Sequence, residues 1–330
     1  MTIHWKRFAE IVRDHQSFLL MSHIRPDCDA LGSLLGMAKI LLASGKTVHI
    51  VNGHGAPPNL AFIDPEGRIK ALGEDLSIDE IPEHDVLIVL DTSAWAQLGP
   101  MGDVVRSSTS KKIVVDHHVS GDDLGTEPFK DTQAEATGAL VVQAADALGV
   151  PLTPAMAMPL FAAVATDTGW FRFGSTTSET YRVAARLIDA GANPAQIYRN
   201  LYERNSMGRV RLRGMILTRI ASELDGRLVH TYVRKTDFEQ TGALPSDTED
   251  VVNMALEIAG TEAAVIFVEQ MGGGFKISFR SRSEMDCSRV AEQFSGGGHR
   301  AAAGAFVRGE FEEVQTRVLD AVRHAMPSNG

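Results

Sequence analysis

Six side chains in four short segments of this 330-residue sequence could bind divalent metal ions. They are His23, Asp27, Asp29, Asp91, His117 and Asp167. Carboxylate oxygens mixed with imidazole nitrogens suit Mn²⁺ better than an all-oxygen magnesium site does. Carboxylates placed together would repel one another unless cations neutralised them. Six ligands are too many for one ion that also binds water and substrate. We therefore expect two ions about 3.5–4 Å apart, as in two-metal phosphoryl transfer.

Three of the four segments directly follow a predicted strand, and the fourth ends a helical pattern. The predicted strands of the first half cover residues 17–21, 46–51, 85–90 and 112–115, and the predicted helices cover 30–42, 137–148 and 154–166. Strands alternating with helices indicate an α/β fold with a mainly parallel sheet flanked by helices. The carboxyl ends of parallel strands meet at one edge, where such sheets bind ligands. The candidate ligands are therefore expected to converge there.

Each of these residues has an ordinary structural explanation when it is taken alone. Asp91 could form a turn, Asp29 could cap the following helix, and the His117-His118 pair could lie in a surface loop. Chance is a much weaker explanation for the whole set. It would require four separate segments to place carboxylates and imidazoles at the same edge of the sheet.

The second half of the chain predicts a different domain. Residues 177–224 are mostly helical in pattern and lack strand signals. Beyond them, strands are predicted over 228–233, 263–269, 275–280 and 303–307, and helices over 248–259, 288–294 and 311–325, with a turn at 272–274. We therefore expect an α/β domain over 1–190, a helical connector over 191–225 and a smaller α+β domain over 226–330.

Composition restricts the class of function. The net charge of −10 argues against tracking along long nucleic acid, which usually requires a large basic surface. It is compatible with a small anionic substrate held by metal ions. Two cysteines do not suggest a disulfide framework, and no apolar run approaches the roughly 20 residues that span a bilayer. We expect a soluble cytoplasmic protein without a membrane partner.

In their combination and order, the four segments resemble motifs I to IV of the DHH phosphoesterase superfamily, named for the triplet Asp116-His117-His118. Residues 295–304 (SGGGHRAAAG) resemble the signature of the accompanying DHHA1 domain. Within that superfamily the sequence is most similar to the NrnA-type bacterial nanoRNases. These oligoribonucleases also act as phosphatases on pAp, an adenosine bisphosphate. The resemblance implies hydrolysis of RNA or DNA oligonucleotides of about two to five nucleotides to mononucleotides, and removal of the 3′-phosphate of pAp.

The resemblance also implies roles for individual residues. It assigns His23, Asp27 and Asp91 to one Mn²⁺. It assigns Asp29, Asp91, His117 and Asp167 to a second, with Asp91 bridging and with Mg²⁺ or Co²⁺ able to substitute. The catalytic candidates are Asp91, Asp116, which would orient a histidine, and His118, which would contact the scissile phosphate. The sequence departs from the family at Cys28, where Gly is common.

Substrate-binding residues are expected in the C-terminal domain. The resemblance assigns Arg280 and Ser281 to the remote end of the substrate, together with the glycine-rich segment Gly296, Gly297, Gly298, His299 and Arg300. Three consecutive glycines let backbone N–H groups approach a phosphate, although a flexible turn would explain them equally well. Residues 271–310 contain six Lys or Arg and four acids, so this segment is +2 within a protein of −10.

The mechanism that follows is a hypothesis. A hydroxide bridging the two ions attacks phosphorus in line, and the metals and His118 offset the developing charge. The second domain closes over the cleft and holds the far end of a short nucleotide.

Four alternatives remain: a phosphodiesterase of cyclic dinucleotides or pApA, a family II inorganic pyrophosphatase, a RecJ-like exonuclease, and a non-catalytic nucleotide sensor. The glycine-rich segment and the Arg280 region favour nucleotides over pyrophosphate. A RecJ-like enzyme normally has further domains, for which this chain has no room. A sensor would lack metal ligands, and none is missing. A homodimer is compatible with the resemblance.

Overall fold

The continuous apolar runs of the first half form strands buried on both faces, as expected for a parallel sheet. The computed structural model describes residues 3–248 and 251–327. The chain divides into two compact units, Met1–Arg204 and Asn205–Gly330. This division lies inside the connector predicted over 191–225. The exact domain bounds stay a prediction.

Six strands form the sheet of the N-terminal unit. They are β1 (Ser17–Met21), β2 (Thr47–Asn52), β3 (Ile69–Ala71), β4 (Val86–Leu90), β5 (Lys111–Asp116) and β6 (Glu127–Lys130). Their order is β3-β2-β1-β4-β5-β6, and every neighbouring pair is parallel. The chain runs outward from β1 to β3 and then returns to place β4 beside β1. The strand order therefore reverses between β1 and β4, which is where open α/β sheets bind ligands.

Helices cover both faces of this sheet, which confirms the predicted α/β class. They are α1 (Trp5–Asp14), α2 (Cys28–Ala43), α3 (Trp95–Leu98), α4 (Met101–Ser107), α5 (Thr137–Leu148), α6 (Pro154–Asp167), α7 (Ser178–Asp189) and α8 (Pro194–Tyr202). Residues of α1, α2, α5 and α6 share one apolar cluster with the sheet, and residues of α3 and α4 share another. Within the described ranges, every helix is too short or too polar to span a bilayer.

Helices α2 and α6, which carry the candidate ligands Asp29 and Asp167, approach each other through glycine. A Cβ atom at Gly32 would lie 2.3 Å from the Pro159 carbonyl oxygen and 2.8 Å from the Ala163 Cβ. Gly36 has the same role, because a Cβ there would lie 2.4 Å from a methyl carbon of Leu160. This close approach brings the beginning of α2 and the end of α6 to the same region of the sheet edge.

The C-terminal unit is the predicted α+β domain, built on a mixed sheet. Its helices are α9 (Met207–Thr218), α10 (Lys235–Thr241), α11 (Val251–Leu256), α12 (Cys287–Glu292) and α13 (Phe311–Ala325). Its strands are β7 (Ala221–Glu223), β8 (Leu228–Val233), β9 (Ala263–Glu269), β10 (Phe275–Ser281), β11 (Gly297–His299) and β12 (Ala302–Val307). The strand order is β11-β12-β10-β9-β8-β7; β8 and β9 are parallel, and the other neighbours are antiparallel.

Several short elements differ from the sequence predictions. Strand β7 lies inside the region 177–224, where no strand is expected. The sequence pattern also does not predict the strands β3, β6 and β11 or the helices α1, α3, α4 and α10. Strands of three or four residues contain too few positions for a clear alternating pattern. Pairing with neighbouring strands in the folded protein therefore determines where they form. The helix expected over 248–259 is observed as α11, and residues 249–250 lie outside the described ranges. The turn at 272–274 is confirmed.

Replacing Gly32 with Ala tests whether the α2–α6 approach is as tight as the structure shows. The added methyl group would overlap the Pro159 carbonyl, so we expect the free energy of unfolding to fall by about 1–3 kcal/mol in urea titrations. Gly102→Ala in the same unit is the control, because its nearest contact would be the Nη1 of the exposed Arg106 side chain, 3.4 Å from the added Cβ. An unchanged stability in Gly32→Ala would contradict the close packing.

Candidate metal centre

The candidate ligands lie at the C-terminal edge of the parallel sheet, beside the point where strand order reverses. His23 follows the end of β1, Asp91 follows the end of β4, and His117 follows the end of β5. Asp167 is the last residue of α6. The chain turns sharply directly after β4, because Asp91 has a left-handed backbone conformation (φ +60°). Four elements distant in the sequence therefore deliver side chains to one place.

His23, Asp27 and Asp91 form the first group of possible metal ligands. The His23 Nε2 lies 3.5 Å from an oxygen of Asp91 and 3.9 Å from an oxygen of Asp27. The other ring nitrogen, Nδ1, is 2.9 Å from the Ile24 carbonyl oxygen, to which it can only donate. When neutral, the ring therefore directs the lone pair of Nε2 toward two carboxylates.

His117 is the centre of the second group, with Asp29 and Asp167. Its Nδ1 donates to the Ala134 carbonyl oxygen at 3.2 Å. Its Nε2 lies 3.8 Å from Asp29, 3.6 Å from Asp91 and 3.5 Å from Asp167, each measured to a carboxylate oxygen. Asp91 thus faces both histidines, one with each carboxylate oxygen.

The side chains of each group are placed so that they could hold a metal ion. Separations of 3.5–3.9 Å between Nε2 and the carboxylates are too long for hydrogen bonds. Two ligand atoms that are each about 2.1 Å from one ion lie about 3–4 Å apart. Both histidines donate their other ring nitrogen to a backbone carbonyl, as metal-binding histidines usually do. The donor set therefore suits divalent cations, and their number, their identity and the individual ligand roles stay predictions.

The N-terminus of α5 holds two buried carboxylates, Asp29 and Asp91. The Thr137 and Gly138 N–H groups donate to the two oxygens of Asp29 at 2.8 and 2.9 Å. The Thr137 hydroxyl donates to Asp91 at 2.9 Å. Asp27, not Asp29, caps α2, since its carboxylate accepts from the backbone N–H groups of Asp29 and Ala30. Asp29 is thereby directed inward, toward His117.

Burial and mutual repulsion raise the pKa values of the grouped carboxyls. Burial is the main cause at Asp29 and Asp91, and neighbouring carboxylates add to the rise. Burial followed by repulsion from Asp29 raises the pKa of Asp167 to about 6. A bound cation would oppose these shifts, because it stabilises the ionised form.

Asp116 and His118 form a connected pair beside the metal-ligand groups. One Asp116 oxygen accepts from the His118 Nδ1 at 2.8 Å and from its backbone N–H at 3.1 Å. Burial would raise the pKa of Asp116, but hydrogen bonds from His118 and Ser93 outweigh it and hold the pKa well below its usual range. The hydrogen bond to Asp116 raises the pKa of His118. With Nδ1 engaged, the half-exposed His118 has its Nε2 available to a ligand.

Two residues that the sequence did not identify complete this network. The other Asp116 oxygen accepts from the Ser93 hydroxyl at 2.7 Å and from the Lys130 ammonium at 2.9 Å. Lys130 also donates to the Ser120 carbonyl at 3.1 Å, which fastens the loop after the histidines. Lys130 lies on β6, a strand that was not predicted, and Thr137 was seen only as the beginning of a helix. No local pattern in the sequence points to Lys130.

Cys28 is buried at the beginning of α2. Burial raises the pKa of its thiol to about 12, so the protonated form dominates at neutral pH. Because the thiolate is the reactive form, Cys28 is a small buried residue with little reactivity.

The predicted substrate-binding residues all lie in the C-terminal unit. Arg280 is on β10, where its Nε donates to Asn253 at 3.1 Å, and the buried Ser281 accepts from the Ser283 N–H. The segment 296–300 includes the edge strand β11 and begins its hairpin to β12. A Cβ at Gly296 would lie 2.2 Å from the Gly304 carbonyl oxygen, so strand pairing itself requires glycine there. Their role in binding substrate stays a prediction.

The chain resembles known protein families and individual proteins in its sequence. The sequence profile of the DHH family, N-terminal domain, matches residues 17–164, and that of the DHHA1 domain matches residues 225–327. Asp167 lies just beyond the first range. The chain is 31% identical to a Thermus thermophilus protein named bifunctional oligoribonuclease and PAP phosphatase NrnA, over 99% of this chain and 97% of that protein.

A second relative and a solved structure are also similar to this chain over most of its length. A Bacillus subtilis protein of that name is 27% identical over 91% of this chain and 93% of its own length. Among solved structures, an exopolyphosphatase-related protein from Bacteroides fragilis superposes with a TM-score of 0.85 at 27% identity. That match covers 97% of this chain and 96% of the other, so it extends over both units.

Thr137→Val tests the support that α5 provides to the ligand groups. The variant keeps the shape of the side chain but removes the donor to Asp91, so we expect affinity for Mn²⁺ to fall about tenfold in calorimetric titrations. Thr137→Ser, which keeps the hydroxyl, should bind Mn²⁺ like the wild type. Equal affinities in the valine and serine variants would show that the hydroxyl does not support metal binding.

Lys130→Met tests the charge balance at Asp116, which is fully buried. Without the Lys130 cation, the buried carboxylate keeps only its hydrogen bonds from Ser93 and His118, and we expect the free energy of unfolding in urea to fall by about 2–4 kcal/mol. Lys39→Met is the control, because Lys39 is similarly covered but its partner Glu66 is largely exposed. A loss no greater than that of the control would mean that Lys130 does not stabilise Asp116.

Proposed function

Because this chain belongs to the DHH family and has a C-terminal DHHA1 domain, we propose that it is a manganese-dependent phosphoesterase of short nucleotides. It is a hydrolase that acts on phosphoester bonds. Its proposed substrates are oligonucleotides of a few residues, which it converts to mononucleotides, and pAp, from which it removes the 3′-phosphate. The observation that carries the proposal is that two groups of possible metal ligands lie together at the edge of the parallel sheet, with Asp91 in one group and facing His117 of the other.

The choice of substrate is supported by two relatives. Both are named as bifunctional oligoribonucleases and PAP phosphatases, and both are similar to this chain over more than nine-tenths of its length. The overall charge of −10 agrees with a small substrate, since the chain lacks the excess of positive charge that long nucleic acids usually require. A cytoplasmic location and a homodimer stay predictions.

Manganese is proposed from the chemistry of the donors. One ion would be held by His23, Asp27 and Asp91. The second would be held by Asp29, Asp91, His117 and Asp167. Imidazole nitrogen together with carboxylate oxygen is a set that favours Mn²⁺ over Mg²⁺. When bound, such ions lower the pKa of water and neutralise charge that develops on phosphoryl oxygens.

The protein side chains position and polarise the substrate. Asp116 occupies the Nδ1 of the half-exposed His118, which leaves the Nε2 of that ring to donate to a phosphate oxygen. Ser93 and Lys130 saturate the second oxygen of Asp116, so this carboxylate stays bound to His118 and does not turn toward the metal ligands. Histidine orientation is therefore set before substrate arrives, which favours catalysis by reducing reorganisation.

Asp91→Asn is the decisive variant, because Asn tolerates the positive φ of this position and removes only the charge. We expect kcat/KM for a dinucleotide with Mn²⁺ to fall about a hundredfold or more, since the shared ligand is neutralised. Asp103→Asn, at an exposed carboxylate paired with Arg106, should retain full activity. Turnover by Asp91→Asn above about a tenth of the wild-type rate would refute the bridging role.

The same assay decides the metal and the substrate. Protein stripped with a chelator should regain most activity with Mn²⁺ and less with Mg²⁺ or Co²⁺. A comparison of a dinucleotide, pAp, cyclic di-AMP and pyrophosphate should show preference for the first two. Faster hydrolysis of pyrophosphate or of the cyclic dinucleotide would replace the proposed activity with that alternative.

A further inference from the structure

The sheet of the C-terminal unit is packed differently on its two faces. On the first face, α12 and α13 share an apolar cluster with β9, β10 and β12. On the second face, the apolar cluster beneath α9 and α11 includes residues of β8 and β9 but, in the part of the chain that the structure describes, none of β10 or β12. The second face of β10 and β12 is therefore not part of either core.

The residues on this uncovered face alternate with core residues. Along β10, the buried Phe275, Ile277 and Phe279 face the core, so Lys276, Ser278 and Arg280 point to the opposite side. Across the pair, the register places Phe306 opposite Lys276, Gly304 opposite Ser278 and Ala302 opposite Arg280. Phe306 is 49% exposed, which is unusual for a phenylalanine in a strand.

Cations and small residues give this face the chemistry of an anion site. Lys276, Ser278 and Arg280 line a cavity of about 280 Å³ together with Thr248, Val252, Ile266 and Val268. No carboxylate is among the residues that line it within the described ranges. Arg280 is held in place because its Nε donates to Asn253 and its Nη1 to the Phe279 carbonyl. A phosphate would therefore meet two positive groups and one hydroxyl.

Phe306 adds a surface suited to a planar ring. Gly304 and Ala302 beside it have almost no side chain, so a flat group can approach the sheet closely. Exposed aromatic rings on open sheet faces, next to basic residues, are a recurring means of stacking nucleobases. The combination of an aromatic ring and paired cations is complementary to a nucleoside phosphate, in which a flat base is linked to an anion.

We propose that Lys276, Ser278, Arg280 and Phe306 form a nucleoside phosphate site, with phosphate between the two cations and the base stacked on Phe306. The inference rests on the proposed function and identifies residues by which the chain would select nucleotides over inorganic phosphates. Family resemblance assigned a role to Arg280 alone among these four. Lys276, Ser278 and Phe306 enter only through their shared face in the structure.

Fluorescence of a dinucleotide that contains 2-aminopurine tests the site, because stacking on an aromatic ring quenches this base. The whole chain is used without metal, so that binding is measured without turnover. We expect wild-type protein to quench the probe and Phe306→Leu to abolish quenching and weaken binding about tenfold. Phe306→Tyr should restore both. Lys276→Ala should weaken binding several-fold, whereas Arg317→Ala on α13, the helix of the other face, should not.

Turnover separates this inference from the proposed function. With Mn²⁺, Phe306→Leu and Lys276→Ala should raise the KM for the dinucleotide, whereas Arg317→Ala should leave it unchanged. If the wild type cleaves the dinucleotide and both variants match it in KM and quenching, the site is refuted while the function stands. If the wild type binds and quenches but cleaves no nucleotide, the proposed function fails and the site stands. A change in molecular mass by light scattering in either variant would show that this face joins two copies, which would overturn the inference.

Discussion

Repulsion among buried carboxylates is the constraint on which the N-terminal unit depends. Asp29 and Asp91 are almost fully buried, and both face His117, as Asp167 also does. Such a group is unfavourable in a protein interior unless hydrogen-bond donors and cations offset it. The fold supplies donors from the N-terminus of α5 and leaves the remaining charge for metal ions. Repulsion among these carboxylates destabilises the protein when no cation is bound, and the same repulsion favours cation binding.

The topology of the sheet explains why the ligands meet. The reversal of strand order between β1 and β4 separates the loops that follow these strands and opens a crevice at the carboxyl edge. His23 and Asp91 follow the two strands that border it, and β5 adds His117 next to β4. Helices α2 and α6 are drawn together through Gly32, which brings carboxylates from outside the sheet to the same edge. Strand order and helix packing together thus bring the candidate ligands to one place at the sheet edge.

In the C-terminal unit, the two faces of the sheet differ in how they are covered. Its sheet has one face committed to an apolar core and one face that is only partly covered, so β10 serves packing and recognition through alternate residues. The glycine-rich segment belongs to the same arrangement, because Gly296 is needed for the approach to β12 whether or not a ligand binds there. At Gly296, strand pairing and ligand binding would therefore both require glycine.

The amino-acid sequence by itself determined the α/β class, the main strands and helices, and the set of side chains that meet at the sheet edge. These follow from local patterns: long apolar strands, helical periodicity, and acidic or imidazole residues directly after strand ends. Only the tertiary structure identified Thr137, Ser93 and Lys130 as partners of the site, and Asp27 in place of Asp29 as the cap of α2. It also decided the short strands β3, β6, β7 and β11 and the open face that carries Phe306. These features depend on contacts between residues far apart in the chain, and no local pattern of hydrophobicity or charge encodes such contacts.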